Sequence, residues 1–104
     1  MQNRYVYVIV RADLPSNHLA VQAVHAGIAA TFAYGEPHKT HPHLVLCVVK
    51  DEHELTEAFE RLKEVGCRCC AYHEDDMHNQ MTAVATAPLY GPERKPLRKF
   101  KLLR

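Results

Sequence analysis

Three side chains on one stretch of this sequence could do chemistry together. His18, Gln22 and His25 stand at i, i+4 and i+7 within SNHLAVQAVHAGIAATFAY, residues 16–34. At about 100° per residue they fall within an arc of roughly 60°, a single polar seam on an otherwise apolar helix. A helix apolar on every side is expected to be buried, so the seam needs partners. His18 lies in the first turn, where unpaired N–H groups and the helix dipole favour a phosphate or carboxylate, with Arg11 near. His25, two turns deeper, reads as a hydrogen-bonded structural histidine. Glu74, Asp75 and Asp76 put three carboxylates in one segment. Adjacent carboxylates raise one another's pKa, one route to a general acid or base, although charge decoration of a solvated loop is the plainer account. Thr82 could aim a hydroxyl at the same place, or serve only as a β-branched strand residue.

The elements that must hold these groups follow from hydrophobic period. Arg4–Arg11 (RYVYVIVR) is apolar on both faces and reads as an interior strand. Ala12–Asn17 is a turn, and Ser16–Tyr34 is a helix capped by Ser16 or Asn17 and stopped at Gly35. Glu36–Pro42 is loop, and His43–Val49 is a second buried strand. Lys50–Val65 has Asp51 as N-cap with Glu54 three residues on, a capping-box arrangement. Leu55, Ala58, Phe59, Leu62 and Val65 form its apolar stripe, and Gly66 ends it. Cys67–Tyr72 reads as a third strand, His73–Gln80 as a polar connection, and Met81–Pro88 as a fourth strand. Leu97–Leu103 is either a short edge strand or a tail packed on the body.

The order β-α-β-α-β-β predicts an α/β fold, a small mixed four-stranded sheet with its last strand antiparallel, flanked by helices. Ligands in open α/β sheets gather beyond the carboxyl ends of the parallel strands. That edge would collect Arg11, Asp13, His18 and residues 73–80.

Composition narrows the classes. With 104 residues and no linker, the chain is one domain. A hydrophobic fraction of 47% is ordinary for a globular chain. No apolar run approaches the roughly 18 residues of a membrane span, so no membrane association is expected. The first residues enter a strand directly and show no leader pattern. Four cysteines crowd into strands, which predicts reduced thiols and a cytoplasmic setting. Their apolar contexts predict unreactive thiols. His38, His41, His43, His73 and His78 offer imidazoles, and Cys67, Cys69 and Cys70 offer thiolates. No paired CxxC and no HExxH spacing exists, and Cys69 and Cys70 on one strand point to opposite faces, so neither a metal nor a cofactor is expected. A net charge of +1 excludes a global polycation. Residues 92–104 nevertheless carry Arg94, Lys95, Arg98, Lys99, Lys101 and Arg104 against Glu93 alone, a basic tail that is either phosphate-binding or simply solvated.

Tyr7–Ala26, YVIVRADLPSNHLAVQAVHA, resembles the start of type II peptidyl-tRNA hydrolases, which open with a Val/Ile strand, an Arg-x-Asp-Leu turn and a helix beginning Lys-x-Ala-Ala-Gln-x-x-His-Ala. Arg11, Asp13, Leu14, Ala20, Gln22, His25 and Ala26 match. The later element order also fits, including a Thr-containing strand ending Ala-Pro. The resemblance implies a four-stranded mixed sheet, frequent dimerisation, no metal, and cleavage of the ester between a peptide and the 3′ end of tRNA. It implies catalytic roles at His18 (where the family has Lys), at Glu74 or Asp75, and at Thr82, with Arg11, Asp13, Gln22 and His25 on the substrate side. Histidine has an ordinary pKa near 6.5, so His18 would be mostly neutral where lysine is charged. The expected function is therefore a peptidyl-tRNA hydrolase-like esterase, a homodimer with tRNA as partner. The alternatives are a non-catalytic RNA-, nucleotide- or protein-binding relative and a structural dimer.

Overall fold

A computed structural model describes residues 3–35 and 41–103. Its elements are β1 (Tyr5–Arg11), α1 (Ser16–Tyr34), β2 (His43–Val49), α2 (Glu52–Glu64), β3 (Cys69–Glu74), β4 (Gln80–Thr86) and β5 (Lys101–Leu102), with 3-10 turns at Asp75–Met77 and Gly91–Leu97. The sheet order is β3-β4-β1-β2-β5. β1 pairs parallel with β2 and antiparallel with β4, and β4 is antiparallel to β3. β1, β2 and β3 therefore point the same way and end on one edge.

β1 is central because both of its faces are apolar. Tyr7 and Ile9 join the core layer under α2, with Leu55, Leu62 and Val84, while Val8 and Val10 join the layer under α1, with Ala26, Ala30, Ala83 and Ala85. Asp51 caps α2 as anticipated, accepting from the Glu54 N–H at 3.0 Å, but Glu54 Oε1 accepts at 2.8 Å from the N–H of Lys50, one residue before the N-cap, and not from that of Asp51 as a capping box requires. Gly66, at φ 81°, turns the chain out of α2 in a conformation that favours glycine.

The sheet has five strands, not four. β5 pairs antiparallel with β2 through Cys47–Leu102 and Val48–Lys101. Two paired residues are too few to show a hydrophobic period, which is why this segment stayed undecided between strand and packed tail. β3 begins two residues later than its apolar run and extends through His73 and Glu74, because the edge strand continues pairing into polar sequence.

α1 departs from expectation in two respects. Pro15 occupies the N-cap position, with no side-chain cap bond, rather than Ser16 or Asn17. The helix is also not buried all round: only Gln22, Ala26 and Ala30 are fully enclosed, while Val21, Val24, Ile28 and Phe32 are exposed, Phe32 to 88%. It packs on β4, β3 and β1 along one side, and its small residues permit a close approach there.

Candidate functional site

The carboxyl edge of β1 and β3 gathers the expected residues into two adjoining networks. The first surrounds Arg11, which is buried at the end of β1. Its Nε donates to Asp13 Oδ1 at 2.9 Å and its Nη2 to Asp13 Oδ2 at 2.7 Å, a bidentate pair. Nη1 donates to Gln80 Oε1 at 2.8 Å and to the Met81 carbonyl at 3.1 Å. The guanidinium beside Asp13 holds that carboxyl below its usual range, and the pair raises Arg11 in turn. These bonds commit the fork of Arg11 to bracing the β1–α1 turn against the start of β4. The anticipated contact of Arg11 with a substrate phosphate would compete with them.

The second network begins in the core and ends at the rim. Thr82 Oγ1, fully buried, donates to Gln22 Oε1 at 2.6 Å. Gln22 Nε2 donates in turn to Glu74 Oε1 at 2.9 Å. That bond is the main influence lowering the Glu74 pKa, with the backbone N–H groups of Asp76 and Asp75 and the charge of His25 acting the same way against desolvation. Glu74 is therefore an ionised carboxylate at neutral pH, half-buried at the end of β3, and its shift is the reverse of the rise anticipated from its acidic neighbours, because the Gln22 amide favours the charged form. His25 is half-buried too, and its ring lies flat on Tyr72 with centroids 4.5 Å apart and planes 5° from parallel. Stacking, rather than the anticipated hydrogen bond, holds His25.

A β-bulge makes the Thr82 contact possible. Tyr72 pairs with Ala83 but His73 with Met81, leaving Thr82 as an extra residue in β4. Met81 faces the α2 layer and Ala83 the α1 layer, two residues apart, where an unbroken strand would put both on one face. The hairpin beyond is closed by His78 and Asn79, at φ 54° and 60°, residue types that tolerate this region.

His18 lies exposed on the first turn of α1, one turn before Gln22. No bond links its imidazole to Glu74 or Asp75. Asp75 and Asp76 are exposed on the 3-10 turn, so Glu74 is the acidic residue of this segment that joins the network. Thr82 lies too deep to touch a bound molecule and reaches the rim only through Gln22. Sequence reasoning passed over Gln80, which completes the Arg11 brace, Tyr72, the ring under His25, and Glu52, whose Oε2 accepts from the Met81 N–H at 2.9 Å. The signal available for Gln80 was its place at the mouth of β4, opposite the end of β1.

No group of three or more His, Cys, Asp or Glu among the described residues could hold a metal ion, and His38 lies outside them. The four cysteines are free. Burial pushes the Cys47 and Cys70 thiols up, and the Cys67 hydrogen bond together with burial raises Cys69. Cys67 precedes β3, and there a hydrogen bond with Cys69 and the charge of Arg68 lower its pKa against burial.

The fold has a known counterpart. A protein of unknown function from Agrobacterium tumefaciens has a solved structure similar to this chain, with TM-score 0.71 and 16% identity over 100% of both chains. That likeness establishes the fold. No family model and no curated protein matches the sequence. No described helix is long and apolar enough to cross a membrane.

Proposed function

We propose that the protein is a peptidyl-tRNA hydrolase-like esterase, acting in the cytoplasm on an acyl group carried at the 3′ end of tRNA. The observation that carries this reading is the Thr82–Gln22–Glu74 chain of hydrogen bonds, which presents one ionised carboxylate at the carboxyl edge of the sheet. Ester hydrolysis needs a water deprotonated as it attacks the carbonyl and a proton for the departing ribose oxygen. Glu74 accepts the proton of the water, and the locked Gln22 amide keeps the carboxylate in place. His18, exposed one helical turn before Gln22, supplies the proton to the leaving 3′ oxygen. Asp13 and Arg11 brace the turn that carries α1, and His25 braces Tyr72 beside Glu74. The likeness of Tyr7–Ala26 to the family's opening motif supports the same substrate.

The test is release of peptide from peptidyl-tRNA by the purified chain. Turnover is expected to fall about a hundredfold or more in Glu74→Gln, a typical loss for a general base, and to fall in His18→Ala while rising in His18→Lys. Wild-type turnover no greater than that of Glu74→Gln would refute the esterase. One observation favours a second reading, a binder on the same edge: among the described residues, no carboxylate bonds to His18. Binding of tRNA without turnover would decide for it. The exposed apolar side of α1 supports the homodimer as part of the same proposal.

A further inference from the structure

A concave surface lies between α2 and the sheet, apart from the Gln22–Glu74 network. An open groove of about 680 Å³ runs between α2 and β5, with Val49, Ala58 and Phe100 among its apolar lining. Lys50, Arg61, Lys99 and Lys101 line it, brought together from three separate parts of the chain. None of the four forms an ion pair among the described residues. The two carboxylates on its wall are already engaged: Glu54 accepts from the Lys50 N–H, and Glu57 lies 3.5 Å from His53. Arg61 and Lys99 also line a neighbouring hollow of about 410 Å³, which Lys95 lines with them. The cations thus form a track through two joined hollows, a shape that suits an extended polyanion better than a compact one. Ala12, next to Asp13 in the β1–α1 turn, also lines the groove. β2, which forms part of its floor, lies two strands from β4, about 10 Å at ordinary strand spacing.

We infer that this groove binds the phosphodiester backbone of a single-stranded RNA segment, whose end it delivers to the carboxyl edge of the sheet. Lys50, Arg61, Lys99 and Lys101 contact successive phosphates, and Lys95 extends the track. Delivery to the edge rests on the acyl-tRNA reading; RNA binding by the groove does not.

The experiment measures fluorescence anisotropy of a labelled, unacylated single-stranded RNA of about eight nucleotides, within the range of single-strand site sizes. It uses the full chain between 50 and 200 mM salt. Four phosphate contacts predict a log–log salt slope of about −3 on the single-strand scale. Lys99→Glu with Lys101→Glu, both exposed, should bind at least tenfold more weakly with a slope nearer about −1.5. Unchanged affinity and slope in the double variant would overturn the inference. So would displacement of the RNA by equimolar inorganic tripolyphosphate, which would mark a site for small anions. Groove-dependent RNA binding without peptidyl-tRNA turnover would uphold the groove and reject the esterase. An unchanged circular dichroism melting curve verifies that the double variant is folded.

Discussion

Thr82 and Gln22, 60 positions apart, share a hydrogen bond of 2.6 Å in the layer between α1 and the sheet. The bond determines which way the Gln22 amide faces, because Thr82 takes its oxygen and leaves its nitrogen for Glu74. A buried amide that satisfies both ends is rigid, whereas one that loses an end is costly. Thr82→Val keeps the shape and orphans Gln22 Oε1. It should destabilise the fold by about 1–3 kcal/mol. Adding Gln22→Leu should cost less than the sum of the two single changes, since neither polar end then lacks a partner. Urea unfolding of the four proteins measures this.

Arg11 makes four hydrogen bonds, to Asp13, Gln80 and the Met81 carbonyl. Arg11→Lys replaces a planar fork by a point charge and cannot bridge the same acceptors. It should lose more stability than Asp13→Asn, because the Asp13 carboxylate is 40% exposed and water can replace part of its bond. Thermal melts of the two variants give the order directly.

Two carboxylates have depressed pKa values, Asp13 through Arg11 and Glu74 through Gln22. A depressed value means that the folded state holds its proton less tightly than the unfolded chain does. The stabilisation is thus complete above the ordinary range of about 4. It disappears as pH falls through the lower folded values. From these two groups the urea midpoint should be level between pH 8 and pH 5 and fall below about pH 4. Asp13→Asn and Glu74→Gln should each flatten the acid limb.

Val21, Val24, Ile28 and Phe32 lie at i, i+3, i+7 and i+11 on the solvent side of α1, with exposures from 50% to 88%. Burying one such side chain fully stabilises a complex by about 1.5–3 kcal/mol. Sedimentation equilibrium should show a dimer for the wild-type chain and a monomer for Val24→Lys with Phe32→Glu. A wild-type monomer at about 100 μM, a weak affinity on the usual scale, would rule out the homodimer.

The sequence by itself determined whatever depends on near neighbours. The two apolar faces of Tyr5–Arg11 put β1 in the middle of the sheet, and the stripe and cap of Glu52–Glu64 gave α2 its limits. Element order then brought Arg11, Asp13 and Glu74 to one edge, because two helical crossovers align the ends of β1, β2 and β3. Only the tertiary structure decided which partner each of these residues meets. The bulge at Thr82 shifts β4 by one residue, and a shift of one exchanges the faces of a strand, so propensity in residues 80–86 could not reveal that Thr82 reaches Gln22. For the same reason the exposed side of α1 and the meeting of Lys50, Arg61, Lys99 and Lys101 were hidden, and the choice between edge strand and packed tail for β5 stayed open. Each arises from contacts between segments far apart in the chain, and no local period records them.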